Sequence, residues 1–193
     1  MNIRIARIDD AKRLLDIYGY YVMNTAISFE YEIPSEEDFR SRIENTLKKY
    51  PYLVAEEDGK IVGYAYASQF HSRKAYIHGA ELSIYVDREY RGKGIGTRLY
   101  CEILDILIKQ NVLTAYACIA ETDDKYDKYL TDGSIRFHQK QGFELTGRHV
   151  RSGLKFDRWY NIVWLEKVIN DSFDAPKDFI PFSDLENKSY FAG

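Results

Sequence analysis

The sequence carries only two cysteines, Cys101 and Cys118, in 193 residues. They lie far apart and match no zinc or C-x-x-C spacing, so both are expected as buried free thiols. No apolar run approaches the roughly 20 residues of a membrane span. The N-terminal MNIRIARIDD lacks the apolar centre of a signal peptide. A soluble, cytoplasmic chain with no membrane partner is the expectation. Positive charge is also in short supply. The net charge is −3 and the pI is near 5.9, which argues against nucleic-acid binding. Internal repeats are absent. Aromatic residues are plentiful: 17 Tyr, 10 Phe and 2 Trp. Many of the tyrosines must sit half buried, or line a groove or an interface.

Ile3 and Ile5 alternate with polar residues, as in a short strand. Asp9-Asp10 then reads as the cap of a helix carrying Ala11, Leu14, Leu15, Tyr18 and Val22. Ser35 and Asp38 have capping-box spacing for a second helix with Phe39, Ile43 and Leu47 inside. YLVAEE, the turn Asp58-Gly59 and KIVGYAYAS predict a hairpin. AYIHGAELSIYVD predicts a long strand, with Leu82, Ile84 and Val86 on one face and Glu81, Ser83 and Tyr85 on the other. A helix with Leu99, Ile103, Leu104, Leu107 and Ile108 as its stripe follows a glycine loop. Then come the strand VLTAYACIA, the polar loop ETDDKYDKYLTDG, a short helix SIRFHQKQGF ending at Gly142, and the strands FELTGRHV and WYNIVWLEKV. This order predicts an α+β sandwich: a mixed, mostly antiparallel sheet flanked by helices. The domain is expected over residues 1–169. Residues 170–193 form an acidic, aromatic tail, either flexible or docked.

The glycine loop is REYRGKGIGTRLY. Its G-x-G-x-G spacing (Gly92, Gly94, Gly96) departs from the Rossmann G-x-G-x-x-G, and no acid follows about 20 residues on. The P-loop pattern is absent as well. Bare glycine backbone opening a helix still favours an anion, because unpaired N–H groups and the positive dipole end point into the loop. Arg88, Arg91, Lys93 and Arg98 add cations, so a pyrophosphate is the natural guest. A tight strand-to-helix turn is the plainer alternative.

ELSIYVD followed by R-G-K-G-I-G resembles the signature of the GNAT family of N-acetyltransferases. NTAISFE (24–30), AELSIYV (80–86), SIRFHQKQGF (134–143) and KFDRWYNIVW (155–164) resemble its phosphinothricin acetyltransferase branch. The resemblance implies the GNAT fold and acetyl-CoA as co-substrate. It implies that Ile84, Tyr85 and Val86 bind the pantetheine arm. Arg91, Gly92, Lys93, Gly94, Ile95 and Gly96 would cradle the pyrophosphate. Glu81 matches the proposed general base, and His138 the active-site histidine of the helix motif. Ser134 belongs to the same motif; Thr131 stands where the branch usually has a cofactor-contacting asparagine. A homodimer with its site near the interface is also implied.

Direct acetyl transfer fits these residues. An amine of pKa about 9–10 must lose a proton before it attacks, and a half-buried carboxylate with a raised pKa suits that task. A histidine can meet the departing thiolate. Taken alone, Glu81 reads more simply as the partner of a cation such as His78 or Arg148, and His138 as a capped or solvent-facing helix residue. His71, His78 and His149 form no metal spacing, and no metal is expected. Phe29, Glu30, Arg73, Tyr76, Trp159 and Tyr160 are the expected acceptor-pocket residues, as aromatic walls with an arginine for an anionic end. Trp164 reads as a core anchor. The expected reaction is acetylation of a small amino acid or analogue of the phosphinothricin or methionine sulfoximine type. Alternatives are acetylation of protein N-termini or another amine, or non-catalytic acyl-CoA sensing.

Overall fold

The computed structural model describes residues 1–185. The tail residues Glu186, Lys188, Tyr190 and Phe191 lie outside the described residues. The elements run β1 (Asn2–Ile5), α1 (Ala11–Asn24), α2 (Glu36–Leu47), β2 (Tyr52–Glu57), β3 (Lys60–Gln69), β4 (Gly79–Val86), α3 (Ile95–Lys109), β5 (Thr114–Glu121), α4 (Gly133–Lys140), β6 (Glu144–Lys155) and β7 (Arg158–Val168). The seven strands form one sheet in the order β1-β2-β3-β4-β5-β7-β6. Every pairing is antiparallel except β4–β5. The mixed, mostly antiparallel sheet and its flanking helices are those the sequence predicts.

Local chemistry explains the joints. Ser35 accepts the Asp38 N–H at 3.1 Å and starts α2. Asp58 and Gly59, at φ 51° and 74°, make the tight turn between β2 and β3. Strand alternation then sorts the core. Leu53, Ala55, Val62, Ala65 and Leu82 pack against α3, with Leu99, Ile103 and Leu107. Tyr52, Val54 and Tyr64 face α1 and α2, with Leu14, Tyr18, Phe39 and Ile43.

Several expectations are corrected. Asp10 does not cap α1; its carboxylate is held by Arg4 at 2.7 Å and by the Arg7 N–H at 2.7 Å. β4 starts at Gly79, because Lys74–Tyr76 turn as a short 3-10 segment. On α3, Ile108 faces out, and Tyr100 and Ile106 are buried instead. Both cysteines are free but exposed. Cys101 follows the buried Tyr100 onto the outer side of α3, and Cys118 points to the face of β5 opposite the buried Ala117 and Ile119. Trp164 is half-buried, edge-on to Phe70 at 5.5 Å.

The tail docks on its own domain over residues 178–185. Gln110, fully buried at the end of α3, donates from Nε2 to Lys49 O (2.7 Å) and Ile180 O (2.8 Å). Phe182 N donates to Lys49 O, and the Phe182 ring, 4% exposed, joins the core with Phe179 and Leu185 packed beside it. Phe182→Ala is expected to lower the unfolding free energy by about 3 kcal/mol, as for other buried Phe truncations. Urea unfolding of the two chains measures it, and a difference below about 1 kcal/mol would mean that the docked tail adds little.

Candidate active site

The site begins where the sheet parts. β4 and β5 are registered only from Gly79↔Thr114 to Glu81↔Tyr116. Beyond Glu81, β4 remains bonded to β3 and β5 to β7. Asp87 N donates to Val62 O, so by antiparallel alternation the odd-numbered residues of β4 bond β3. The backbone of Leu82, Ile84 and Val86 therefore turns toward the opening. A cleft fills it, lined by Ile27, Leu82–Tyr85, Ala117–Ala120, Ser134 and His138.

Glu81 sits at the vertex of this cleft. Its carboxyl is half-buried, and burial raises its pKa above the ordinary glutamate value. Among the described residues neither expected competitor pairs with it. Arg148 is held by Glu121 (2.5 Å) and Asp123 (2.6 Å), and His78 Nδ1 by Asn111 O (2.9 Å). The charge of Glu81 reaches the cleft: burial, with Glu81 adding to it, pushes the Cys118 thiol up to about 11.

His138 lies on the opposite wall, 3% exposed. Nδ1 is 2.8 Å from the Ser134 carbonyl, which can only accept, so Nδ1 carries the proton. Nε2 then accepts from the Tyr100 hydroxyl at 2.6 Å. Burial lowers the His138 pKa, while the Ser134 contact works the other way. The ring is neutral at pH 7. Tyr100, buried on α3, escaped the sequence reading. Its position one residue after Leu99 on the inner face of the helix is the signal that was available.

The glycine loop enters α3 as the pattern requires. Gly92 and Gly94 both have φ 78°, a left-handed backbone that side chains resist. Gly96 serves closeness instead: a Cβ there would meet the Phe137 ring at 3.1 Å and Ile84 at 3.3 Å. Gly94 is the N-cap, so the first turn of α3 faces the loop without a side-chain cap. Arg91 and Lys93 are exposed, with Ile95 buried behind them. Tyr21, also missed, braces this end. Its hydroxyl contacts the Val86 backbone and accepts from Arg91 Nε at 3.3 Å. Thr131 is exposed and accepts the Gly133 N–H at 3.3 Å, beside the cleft-lining Ser134.

The expected acceptor residues fall in two groups. Phe29 packs on Tyr160 at 6.3 Å, and Trp159 beside them is 59% exposed. Tyr160 itself is fully buried, its hydroxyl directed at Asp127, so it backs the wall rather than facing a ligand. Glu30 pairs with Arg42 at 2.9 Å. Tyr76, in the short turn that follows Arg73, packs edge-on to Phe70, which stacks on Tyr116 and contacts Trp164, four residues and about 13 Å along β7 from Tyr160. Within one chain the two groups do not meet. Behind Tyr85, which lines the cleft as well, a cavity of about 480 Å³ is walled by Tyr18, Phe39, Arg42, Tyr52, Tyr64 and Tyr66. The acidic loop after β5 is fastened down, with Arg158 on Asp127 (3.0 Å) and Asn161 on Asp123 (3.2 Å).

The sheet is split between two parallel strands, with a glycine-rich loop opening the next helix. The acetyltransferase (GNAT) domain model matches residues 3–164, and the chain belongs to that family. It is an acetyl-CoA-dependent acetyltransferase. It is 31% identical over 173 residues to a phosphinothricin N-acetyltransferase of Streptomyces coelicolor, covering 88% of this chain and 96% of the relative. A solved phosphinothricin acetyltransferase from Sinorhizobium meliloti, in complex with AcCoA, superposes with a TM-score of 0.84 at 30% identity, covering 96% and 98% of the two chains. A ribosomal-protein-alanine N-acetyltransferase from Brucella melitensis superposes with a TM-score of 0.80 at 33% identity, over 87% and 99%. Among the described residues no helix is long and apolar enough to cross a membrane, and no group of three or more His, Cys, Asp and Glu is arranged for a metal ion.

The neutral His138 has a measurable consequence. Its folded pKa lies below the unfolded value of about 6.5. The unfolded chain therefore binds the proton more readily, and stability falls as pH drops below about 6.5. Urea unfolding at pH 7.5 and 5.5 is expected to give a larger loss for the wild type than for His138→Asn. Equal losses would mean that His138 does not titrate as described.

Proposed function

We propose that this protein acetylates the primary amine of a small amino acid or amino-acid analogue, of the phosphinothricin or methionine sulfoximine type, in the cytoplasm. The observation that carries the reading is Glu81: a half-buried, unpaired carboxylate with a raised pKa at the vertex of the cleft. The acceptor class rests on the relatives' activities and on the aromatic and arginine residues beside the cleft.

In this reading Arg91 to Gly96 hold the pyrophosphate through backbone N–H groups and the α3 dipole, helped by two cations. The turned-in backbone of Ile84 and Val86, with Tyr85 between them, guides the pantetheine between β4 and β5. Thr131 and Ser134 flank the same arm. Glu81 takes a proton from the acceptor ammonium, directly or through a water. The amine nitrogen then bonds to the thioester carbonyl carbon, and the C–S bond breaks. The thiolate leaves on the His138 side and takes up a proton, and the nitrogen loses its second proton as the amide forms. No covalent enzyme intermediate is needed. Phe29, Glu30 and Trp159 shape the acceptor end.

Tyr76 reaches the Trp164 end of β7 through Phe70 while Phe29 packs at Tyr160, and we read Arg73 and Tyr76 as acting across a homodimer. Val150, Leu154 and Trp159, at 61%, 44% and 59% exposed, give an apolar surface for the second copy. The Brucella likeness favours a second reading, a peptide N-terminus as acceptor. A thiol-release assay with acetyl-CoA against amino acids, their analogues and alanine-starting peptides separates the two.

Glu81→Gln is expected to lower kcat by about 10²–10⁴-fold while leaving acetyl-CoA affinity intact. An unchanged rate at neutral pH would remove Glu81 as the base. In the wild type, kcat/KM should rise with pH through the raised Glu81 pKa. Gly94→Glu forces a side chain into a left-handed backbone and adds an acid at the cradle. It is expected to raise the acetyl-CoA Kd by about tenfold or more, read by calorimetry; an unchanged Kd would place the pyrophosphate elsewhere.

A further inference from the structure

Lys155 is an unusual lysine. It ends β6, and its side chain is 97% removed from solvent, with 3% exposed. The ammonium donates to three backbone carbonyls: Val22 at 2.8 Å, Thr25 at 3.0 Å and Ser28 at 2.6 Å. An ammonium has three N–H groups, so each carbonyl receives one and none is left over.

The three carbonyls are otherwise difficult to satisfy. Val22 lies in the last turn of α1, where carbonyls lose their helical partners. The N–H that a continuing helix would offer Val22 belongs to Ala26, and it donates instead to Tyr129 O at 3.1 Å. Thr25 and Ser28 belong to the irregular segment that leaves the helix. Buried and unpaired, each carbonyl would cost about 1–3 kcal/mol.

The segment so held carries Ile27, which lines the cleft together with His138 and Tyr85, and Phe29, at the acceptor end. Ser28 is pinned again by Tyr18, hydroxyl to hydroxyl at 2.7 Å. Phe29 rests on Gly153, where a Cβ would lie 2.3 Å from its ring. Tyr31 donates to Leu154 O. The whole segment thus leans on the β6–β7 turn, where Lys155 supplies a charged contact.

We propose that Lys155 is a positioning residue for the acceptor: its ammonium fixes residues 25–29 and so sets the wall against which the amine is presented to the thioester. The proposal rests on the acceptor reading given above. Misplacement of such a wall by about 1 Å is enough to cost a large factor in rate.

The test uses the full chain with Lys155→Met, which keeps length but removes all three donors, and Lys155→Gln, which keeps two. Steady-state thiol release gives the acceptor KM and kcat, calorimetry gives the acetyl-CoA Kd, and amide hydrogen exchange reads residues 26–30. Lys155→Met is expected to raise the acceptor KM by about tenfold or more and to speed exchange at 26–30. The acetyl-CoA Kd should stay unchanged, with Lys155→Gln falling between. An unchanged acceptor KM overturns the proposal. So does an acetyl-CoA Kd that rises in step with KM, the mark of a general folding residue. If Lys155→Met does not fold, Lys155→Gln decides alone by the same measures. If the wild type acetylates no acceptor, the functional reading fails on its own. Exchange at 26–30 then still judges the clamp, and unchanged exchange overturns it.

Discussion

Everything in this molecule depends on a strand pairing that stops early. β4 and β5 share three registered residue pairs and then part, while each stays bonded to its other neighbour. Parallel strands need a long crossover, supplied here by the cradle and α3. The same crossover therefore carries the glycine loop and delivers β5 beside β4. Past Glu81, the inner edges of two strands face each other across a cleft in the middle of the sheet. Open strand edges are ordinarily a liability at the rim of a sheet. In this fold they line an enclosed cleft.

The electrostatics follow a division of labour. Several acids elsewhere are matched with arginines. Burial alone would push Asp10 up, but hydrogen bonds from Arg4 and the Arg7 backbone bring it below the ordinary aspartate value. Asp87, near the cradle, is lowered by Arg13 and the Glu89 N–H against the same pressure from burial. The acids after β5 are spent on Arg148 and Arg158. Glu81 has burial without a cation, and its pKa moves the opposite way. Its basicity is a consequence of that isolation.

Local features were legible in the sequence because their causes are local. Gly92 and Gly94 demand a left-handed backbone, Ser35 caps α2, Asp58-Gly59 turns a hairpin, and Gly142 at φ 84° ends α4. The alternation along β4 separated Leu82 and Ile84 from Glu81 correctly. What escaped depends on long-range packing. Tyr100 and His138 are 38 residues apart and meet only because α3 and α4 lie side by side. Helical period allowed either Ile106 or Ile108 to face inward, and the rotation of α3 on the sheet chose Ile106. Cys118 looked buried because its strand is apolar, yet its side chain is exposed where β5 lines the cleft. Lys155 gave no sign at all. A lysine next to a turn ordinarily points to water, and its three acceptors lie more than a hundred residues earlier.

The split sheet can also be viewed as two plates meeting at a corner. One is β1 to β4 with α1 and α2; the other is β5, β7 and β6. The sheet's own hydrogen bonds join them only at the closed end, so they do not fix how far the plates stand apart at the mouth. That gap is spanned by struts from one plate to the other. Lys155 reaches from β6 to the end of α1, and Ala26 bonds to Tyr129 beside it. The two plates are thus joined at the rim by polar contacts as well as by the apolar core under α3 that both share.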